Sequence, residues 1–188
     1  MDRIDILYSQ HQSSTMAAPF DKYHPMRYWR MQLHPCDSSR ATQYACRSLC
    51  AGYIGLDFLT EAGDLLSDAT REIETGQSDY VAFATQMAIG DRVLIMAHHF
   101  PLAVCTVAGE YNYIRHTSED LGIWFRHFRR VEQVIFYGDA ATNAHSWPRI
   151  VMTDTISPLH DPNSQSYRLI ESLTNTEGSE AAPAEPTA

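Results

Sequence analysis

The chain has 188 residues, 44% of them hydrophobic and 20% charged, with a formal net charge of −9 and four cysteines. That size suits one ordinary domain with tails, and that composition excludes a disordered or fibrous protein. The acidic balance excludes a strong generic polyanion binder, so any nucleic-acid contact has to come from a local basic patch.

Residues 1–25 are polar and mixed, are broken at Pro19, and read as a flexible N-terminal arm; Met16 or Met26 would serve equally as a start. Tyr28 to Leu33 alternates and ends at His34-Pro35, which predicts a first strand. Ser38 or Ser39 can cap a helix running to about Cys50 and closed by Gly52. Tyr53 to Leu56 reads as a second strand, and Gly63-Asp64-Leu65 as a loop or short helix. Ser78 can cap a helix with Val81, Phe83, Ala84, Met87 and Ala88 on one side, ending at Gly90. Arg92 to Ala97 is the next strand, and a turn at Phe100-Pro101 hands over to the strand Leu102 to Ala108. Gly109 allows a bend before Tyr111 to Ile114. His127 to Tyr137 supplies another strand, with Val131, Val134 and Phe136 directed inward. A last strand is predicted around Arg149–Thr153 and a helix from about Ser164 to Leu173. Residues 174–188 are rich in Glu, Ala, Pro, Ser and Thr, an acidic tail whose composition predicts disorder.

Five or six short strands with two or three helices, and hairpins in the second half, predict an α+β fold: a small mixed β-barrel with flanking helices. A doubly wound parallel sheet is disfavoured, because the strands after Gly90 follow one another without crossover helices.

No apolar run approaches the roughly 20 residues that cross a bilayer, and Ile4 to Tyr8 is too short for a signal-peptide core. The expectation is a soluble intracellular protein, cytoplasmic or nuclear, in which thiols stay reduced. Four glutamates (171, 177, 180 and 185) follow the last basic residue, Arg168, yet the balance is acidic even without them. The basic residues are almost all arginine, whose planar fork suits phosphates and base edges; Lys22 is the one lysine.

Three stretches, in order and spacing, resemble one known group. Tyr28-Trp29-Arg30-Met31 with Pro35 is similar to the opening strand of EVE domains. Met87-Ala-Ile-Gly90-Asp91-Arg-Val is similar to the lead-in to their central hairpin. Pro101 to Tyr113, followed by His127-Phe-Arg-Arg130-Val131-Glu132, resembles the PUA-like domains at the front of modification-dependent restriction proteins. Gly52-Tyr-Ile-Gly55 and Gly63-Asp64-Leu65 sit where those proteins carry a glycine-bounded strand and a Gly-Asp-Leu turn. The resemblance spans roughly 110 residues and implies a PUA/EVE-like domain over 26–173. It also implies nucleic-acid binding, with a modified base flipped into an aromatic pocket. The chain departs from the pattern at two places: Leu56-Asp57 stands where an aromatic usually follows the glycine, and Gln133 stands where a Trp follows Val-Glu.

A base pocket needs flat aromatic faces for stacking and a few polar groups for the base edge. The candidates are Trp29, Tyr53, Phe58, Tyr111, Tyr113 and Trp124, with Asp57 as the polar reader, since a carboxylate accepts from an exocyclic amine. The same aromatics would also serve as ordinary barrel core. Arg126, His127, Arg129 and Arg130 form the one basic cluster, interleaved with aromatics, and Arg47 on the preceding helix can join it in holding phosphates. On a strand, Arg126, Phe128 and Arg130 share one face, and His127 and Arg129 the other.

Zinc is a weaker alternative. Cys46 and Cys50 share a helix face and could join His34 and Cys36, but the spacing fits no usual zinc pattern. Cys105, in an apolar strand, reads as buried and inert. The chain carries no Gly-x-Ser-x-Gly elbow, no phosphate-binding glycine loop and no HExxH. The expectation is therefore a non-enzymatic module without cofactor or metal. Its partner would be DNA, in preference to RNA, bearing a modified base, with any effector a separate protein. A different class remains open: a protein-interaction or regulatory module on the same fold, acting through its acidic surface.

Overall fold

In the computed structural model, the described residues are 25–33, 41–57, 63–66, 78–118, 120, 124–137, 149–152 and 154–177. They form an α+β fold in which a curled, half-barrel sheet of seven strands carries three helices. The strands are β1 (Tyr28–Gln32), β2 (Tyr53–Leu56), β3 (Arg92–Ala97), β4 (Phe100–Val107), β5 (Asn112–Tyr113), β6 (His127–Phe136) and β7 (Ile156–Leu159). The helices are α1 (Ala41–Cys50), α2 (Ser78–Val81), which continues as a π-helical turn over Ala82–Gln86, and α3 (Gln165–Glu177). The sheet order is β2-β6-β4-β3-β1-β7, with β5 also on β6. Only β1 and β3 run parallel among these pairs; β3-β4-β6 is the hairpin-linked antiparallel centre.

Strand alternation divides the apolar side chains between two faces. The concave face carries Trp29, Met31, Ile54, Leu56, Val93, Ile95, Cys105 and Val131, closed by Ala45 and Leu49 of α1 and by Tyr80, Phe83 and Ala84. The convex face carries Tyr28, Leu94, Met96 and Val104, packed under Ile170 of α3 with Ile150 and Met152. Each fully buried large apolar side chain contributes roughly 1.5–3 kcal/mol by leaving water, so the two-sided burial is what holds the sheet between its helices.

Two glycines make this arrangement possible. Gly52 ends α1 at φ +81°, its N–H bonded to the Leu49 carbonyl, a left-handed cap that L side chains rarely adopt. At Gly55 a Cβ would stand 2.4 Å from the Phe125 Cβ and 2.5 Å from the His127 carbonyl, so β2 pairs with β6 only because that position has no side chain.

The structure corrects four local expectations. The β3–β4 turn falls at His98-His99, with His98 at φ +57°, and Pro101 lies inside β4 beside a register shift. Residues 149–152 join no strand: Ile150 and Met152 are buried and Val151 is 68% exposed, so the alternation reports burial without ladder pairing. The last strand is β7 instead. Helix α3 runs past Leu173 to Glu177; within this added stretch the Thr174 hydroxyl bonds to the Ile170 carbonyl and receives the Arg92 guanidinium at 2.8 Å. In β6, Val131 and Val134 both meet the concave core although three apart, because a bulge at Gln133 (φ +49°) inserts a residue; Phe136 is 38% exposed at the strand's end.

Residues 1–24, 34–40, 58–62, 67–77, 138–148 and 178–188 lie outside the described residues, and with them Phe58, His34, Cys36 and most of the expected arm and tail. No helix among the described residues is long and apolar enough to cross a membrane.

Candidate functional site

The candidates converge on the β2–β6–β5 end of the sheet, and strand register sorts them into two faces. Tyr53, Ile54, Gly55 and Leu56 stand opposite Arg130, Arg129, Phe128 and His127, and Tyr113 stands opposite His127. Directly opposed residues share a face. His127, Arg129, Leu56, Ile54 and Tyr113 therefore face the concave side, while Tyr53, Phe128 and Arg130 face out.

On the concave side the imidazole of His127 is fully buried within a ring of tyrosines. Its centroid lies 4.5 Å from that of Tyr80, 5.1 Å from Tyr113 and 5.9 Å from Tyr111. The Tyr111 oxygen lies 2.7 Å from His127 Nδ1 and accepts the Leu65 N–H at 3.3 Å. Burial pushes the Tyr111 hydroxyl up to about 12, so it stays protonated beside Nδ1. The chain Leu65–Tyr111–His127 thus ties the 63–66 turn to β6. Tyr80 and Leu65 belong to this cluster although the sequence singled out neither as a site residue; they meet His127 and Tyr111 only through the tertiary fold.

Arg129 lies beside this cluster and is 1% exposed. Its Nε donates to the Phe83 carbonyl (2.9 Å), Nη2 to Ala84 (3.0 Å) and Nη1 to Gly109 (3.1 Å), with the guanidinium 5.7 Å from the Phe83 ring. Desolvation lowers its pKa from the ordinary arginine value. The structure thus gives Arg129 to the open carbonyls at the end of the π-helical turn, a C-cap supplied from a neighbouring strand.

Trp29 is equally enclosed. It is 1% exposed, donates Nε1–H to the Asp91 carboxylate at 2.8 Å, and has the Arg27 guanidinium 5.3 Å over its ring. It is set in the concave core on β1, apart from the β2–β6 groups. Asp91 also accepts the N–H groups of Arg27 (2.9 Å) and Ala88 (3.0 Å).

The groups with access to solvent lie at the opening of this end. Arg126 clasps the Asp57 carboxylate with Nε at 2.7 Å and Nη2 at 2.5 Å, and the two side chains are 18% and 15% exposed. The Ile114 N–H bonds to the Arg126 carbonyl, which brings the end of β5 alongside Arg126, and Tyr113 on β5 is half-buried. Trp124, two residues before Arg126, is half-buried between the edge of Tyr44 (4.8 Å) and the exposed Arg47 guanidinium (5.7 Å). On the outer face Tyr53 packs edge-on against Phe128 at 5.6 Å, and Arg130 is exposed. Aromatic faces, an ion pair and two solvent-facing arginines therefore share one end of the sheet.

Of the zinc alternative, Cys46 is half-buried and Cys50 exposed, and burial pushes the Cys46 thiol up. Among the described residues no group of three or more His, Cys, Asp or Glu side chains could hold a metal. Cys105 is buried and its pKa is driven strongly upward by desolvation.

No protein-family model matches this chain, and no curated protein matches it.

Proposed function

We propose that this chain is a non-enzymatic nucleic-acid reader on a PUA-like, EVE-type barrel, taking a modified base, in DNA by preference, against the β2–β6–β5 end of the sheet. The supporting observation is the grouping of the Asp57–Arg126 pair with the half-buried rings of Tyr113 and Trp124 at that end. In this reading Tyr113 and Trp124 supply stacking faces, and the carboxylate, held in place by Arg126, accepts from an exocyclic amine. Tyr80, Tyr111 and His127 form the floor. Arg47 and Arg130, both exposed, meet phosphates, while Trp29 and Arg129 act as framework.

The test is fluorescence anisotropy on DNA and RNA oligonucleotides, unmodified or carrying methylated or hydroxymethylated cytosine or N6-methyladenine, at two salt concentrations. Phosphate contacts weaken steeply with salt, whereas a preference for one base persists. Preference for one modified base is expected. Trp124→Ala should cost about 1–3 kcal/mol, roughly 5- to 150-fold, the range for loss of one stacking face, and Asp57→Ala should erase the preference. Preference unchanged in both variants would move the pocket elsewhere. Absent binding across the panel would favour the second reading, a protein-interaction module, for which the observation is the net charge of −9; a stable partner would then co-purify.

A further inference from the structure

At the opposite edge of the sheet, β7 leaves its pairing with β1 and turns through His160–Ser164 into α3. A groove of about 380 Å³ lies in this corner, walled by Ile150, Pro158 and Leu159 and by Ser164, Gln165 and Ser166 at the start of α3. That volume is within the roughly 300–1,000 Å³ of small-molecule sites. Arg30 lines the groove from the middle of β1, where it faces the convex side with Tyr28 and stands opposite Ser157 and Leu94.

Asp161 and Ser164, two polar groups of the corner, are engaged within it. Asp161 accepts the Asn163 N–H on its carboxylate (2.9 Å) and the Ser164 N–H on its carbonyl (3.0 Å), and the Ser164 hydroxyl caps the helix by accepting the Tyr167 N–H at 3.3 Å. Arg30 has no such set. Its Nη1 reaches the buried Ser166 hydroxyl at a long 3.4 Å, and its Nε is buried with no hydrogen-bond partner. Burial lowers its pKa, with Asp154 opposing that shift. A buried donor without an acceptor is costly, and native proteins satisfy almost all of them. Arg30 itself lines a cavity that also presents the apolar Ile150, Pro158 and Leu159.

We propose that the groove is a binding site for a small organic carboxylate. The Arg30 guanidinium takes the carboxylate through its terminal nitrogens, a charge-assisted pairing its planar fork favours. The apolar body of the ligand lies on Ile150, Pro158 and Leu159. The groove offers one guanidinium, with His160 and the Asp161 carboxylate also in its lining, and a monoanion matches the single fixed positive charge better than a phosphate dianion. The first turn of α3 adds a favourable but smaller field. The site is distinct from the β2–β6–β5 end and stands whatever that end binds.

The experiment is NMR of the full chain, following the arginine Nε–H signals during titration with benzoate, hexanoate, benzamide and phenyl phosphate. Saturable movement of the Arg30 signal is expected with benzoate and hexanoate at millimolar affinity, the range for ligands of so few atoms. Benzamide, which keeps the ring and loses the charge, should bind at least about tenfold more weakly, since a charge-assisted bond is roughly twice a neutral one. Arg30→Met, checked for an unchanged melting temperature, should abolish the carboxylate response. An Arg30 signal that stays still to about 20 mM benzoate would sink the proposal, as that concentration should fill a millimolar site. Equal binding of benzamide, tighter binding of phenyl phosphate, or an unchanged benzoate response in Arg30→Met would also overturn it. The wild-type titration reads the site even if the variant misfolds.

Discussion

Two arginines, one buried and one half-buried, point to opposite faces of the same sheet and show what a guanidinium drawn against a sheet can be for. Arg129, on the concave side, spends Nε, Nη1 and Nη2 on three backbone carbonyls, and the exposed Glu110 carboxylate 3.8 Å away adds little. Arg30, on the convex side, has one long bond to Ser166 and a buried Nε without a partner. Burial lowers the pKa of both. What separates them is satisfaction: the first closes a structural account among groups that would otherwise be orphaned, and the second leaves donor capacity beside a cavity. A buried charge fully met by the backbone is framework, whereas one only partly met is a candidate for recognition.

The largest effect that would test this contrast is Arg129→Met. It leaves the Phe83, Ala84 and Gly109 carbonyls buried without donors, and should cost about 3–5 kcal/mol, a large share of an ordinary domain's stability. Urea unfolding would measure it, and Glu110→Ala should move the midpoint little. A loss below about 1 kcal/mol would mean that the carbonyls find other donors, and the framework reading of Arg129 would fail.

Asp91→Asn comes next. The carboxylate takes three N–H donors, from Trp29, Arg27 and Ala88. An amide has only one accepting oxygen, so its NH₂ would meet at least one donor head-on. About 2–3 kcal/mol should be lost, the cost of a buried donor left unsatisfied, read in the same unfolding experiment. A neutral outcome would show that the β1–β3 junction tolerates a neutral side chain and that Trp29 is not fixed by this bond.

How much of this was legible before folding depends on the reach of each interaction. That His127 shares one face with Arg129, and Arg126 the other with Arg130, follows from period-2 alternation over five residues; which face turns inward does not. The bulge at Gln133 breaks that alternation, and nothing local announces it. Gly90 reads as a helix end, yet the weight of the Asp91 carboxylate beside it lies in a bond to Trp29, 62 residues away. Tyr80 joins the candidate site through a ring contact with His127 that depends on where α2 docks. Arg30 sits plainly in a strand, but its unmet donor depends on Ser166 at the far end of the chain. Pattern finds elements and faces; it does not find which polar group meets which.

The smallest expected effect tests the other half of the contrast. In the absence of ligand, Arg30→Met should leave stability within about 0.5 kcal/mol of the parent or raise it. The substitution removes a buried donor that no acceptor meets, keeps a long flexible stem against the convex-face cluster, and gives up one long bond to Ser166. A guanidinium held only for the fold would instead take a stability loss comparable to that of Arg129→Met. Paired melts of the two variants decide it. Near-equal losses would erase the distinction between the arginines, while a wide gap would assign Arg30's retained charge to something that binds.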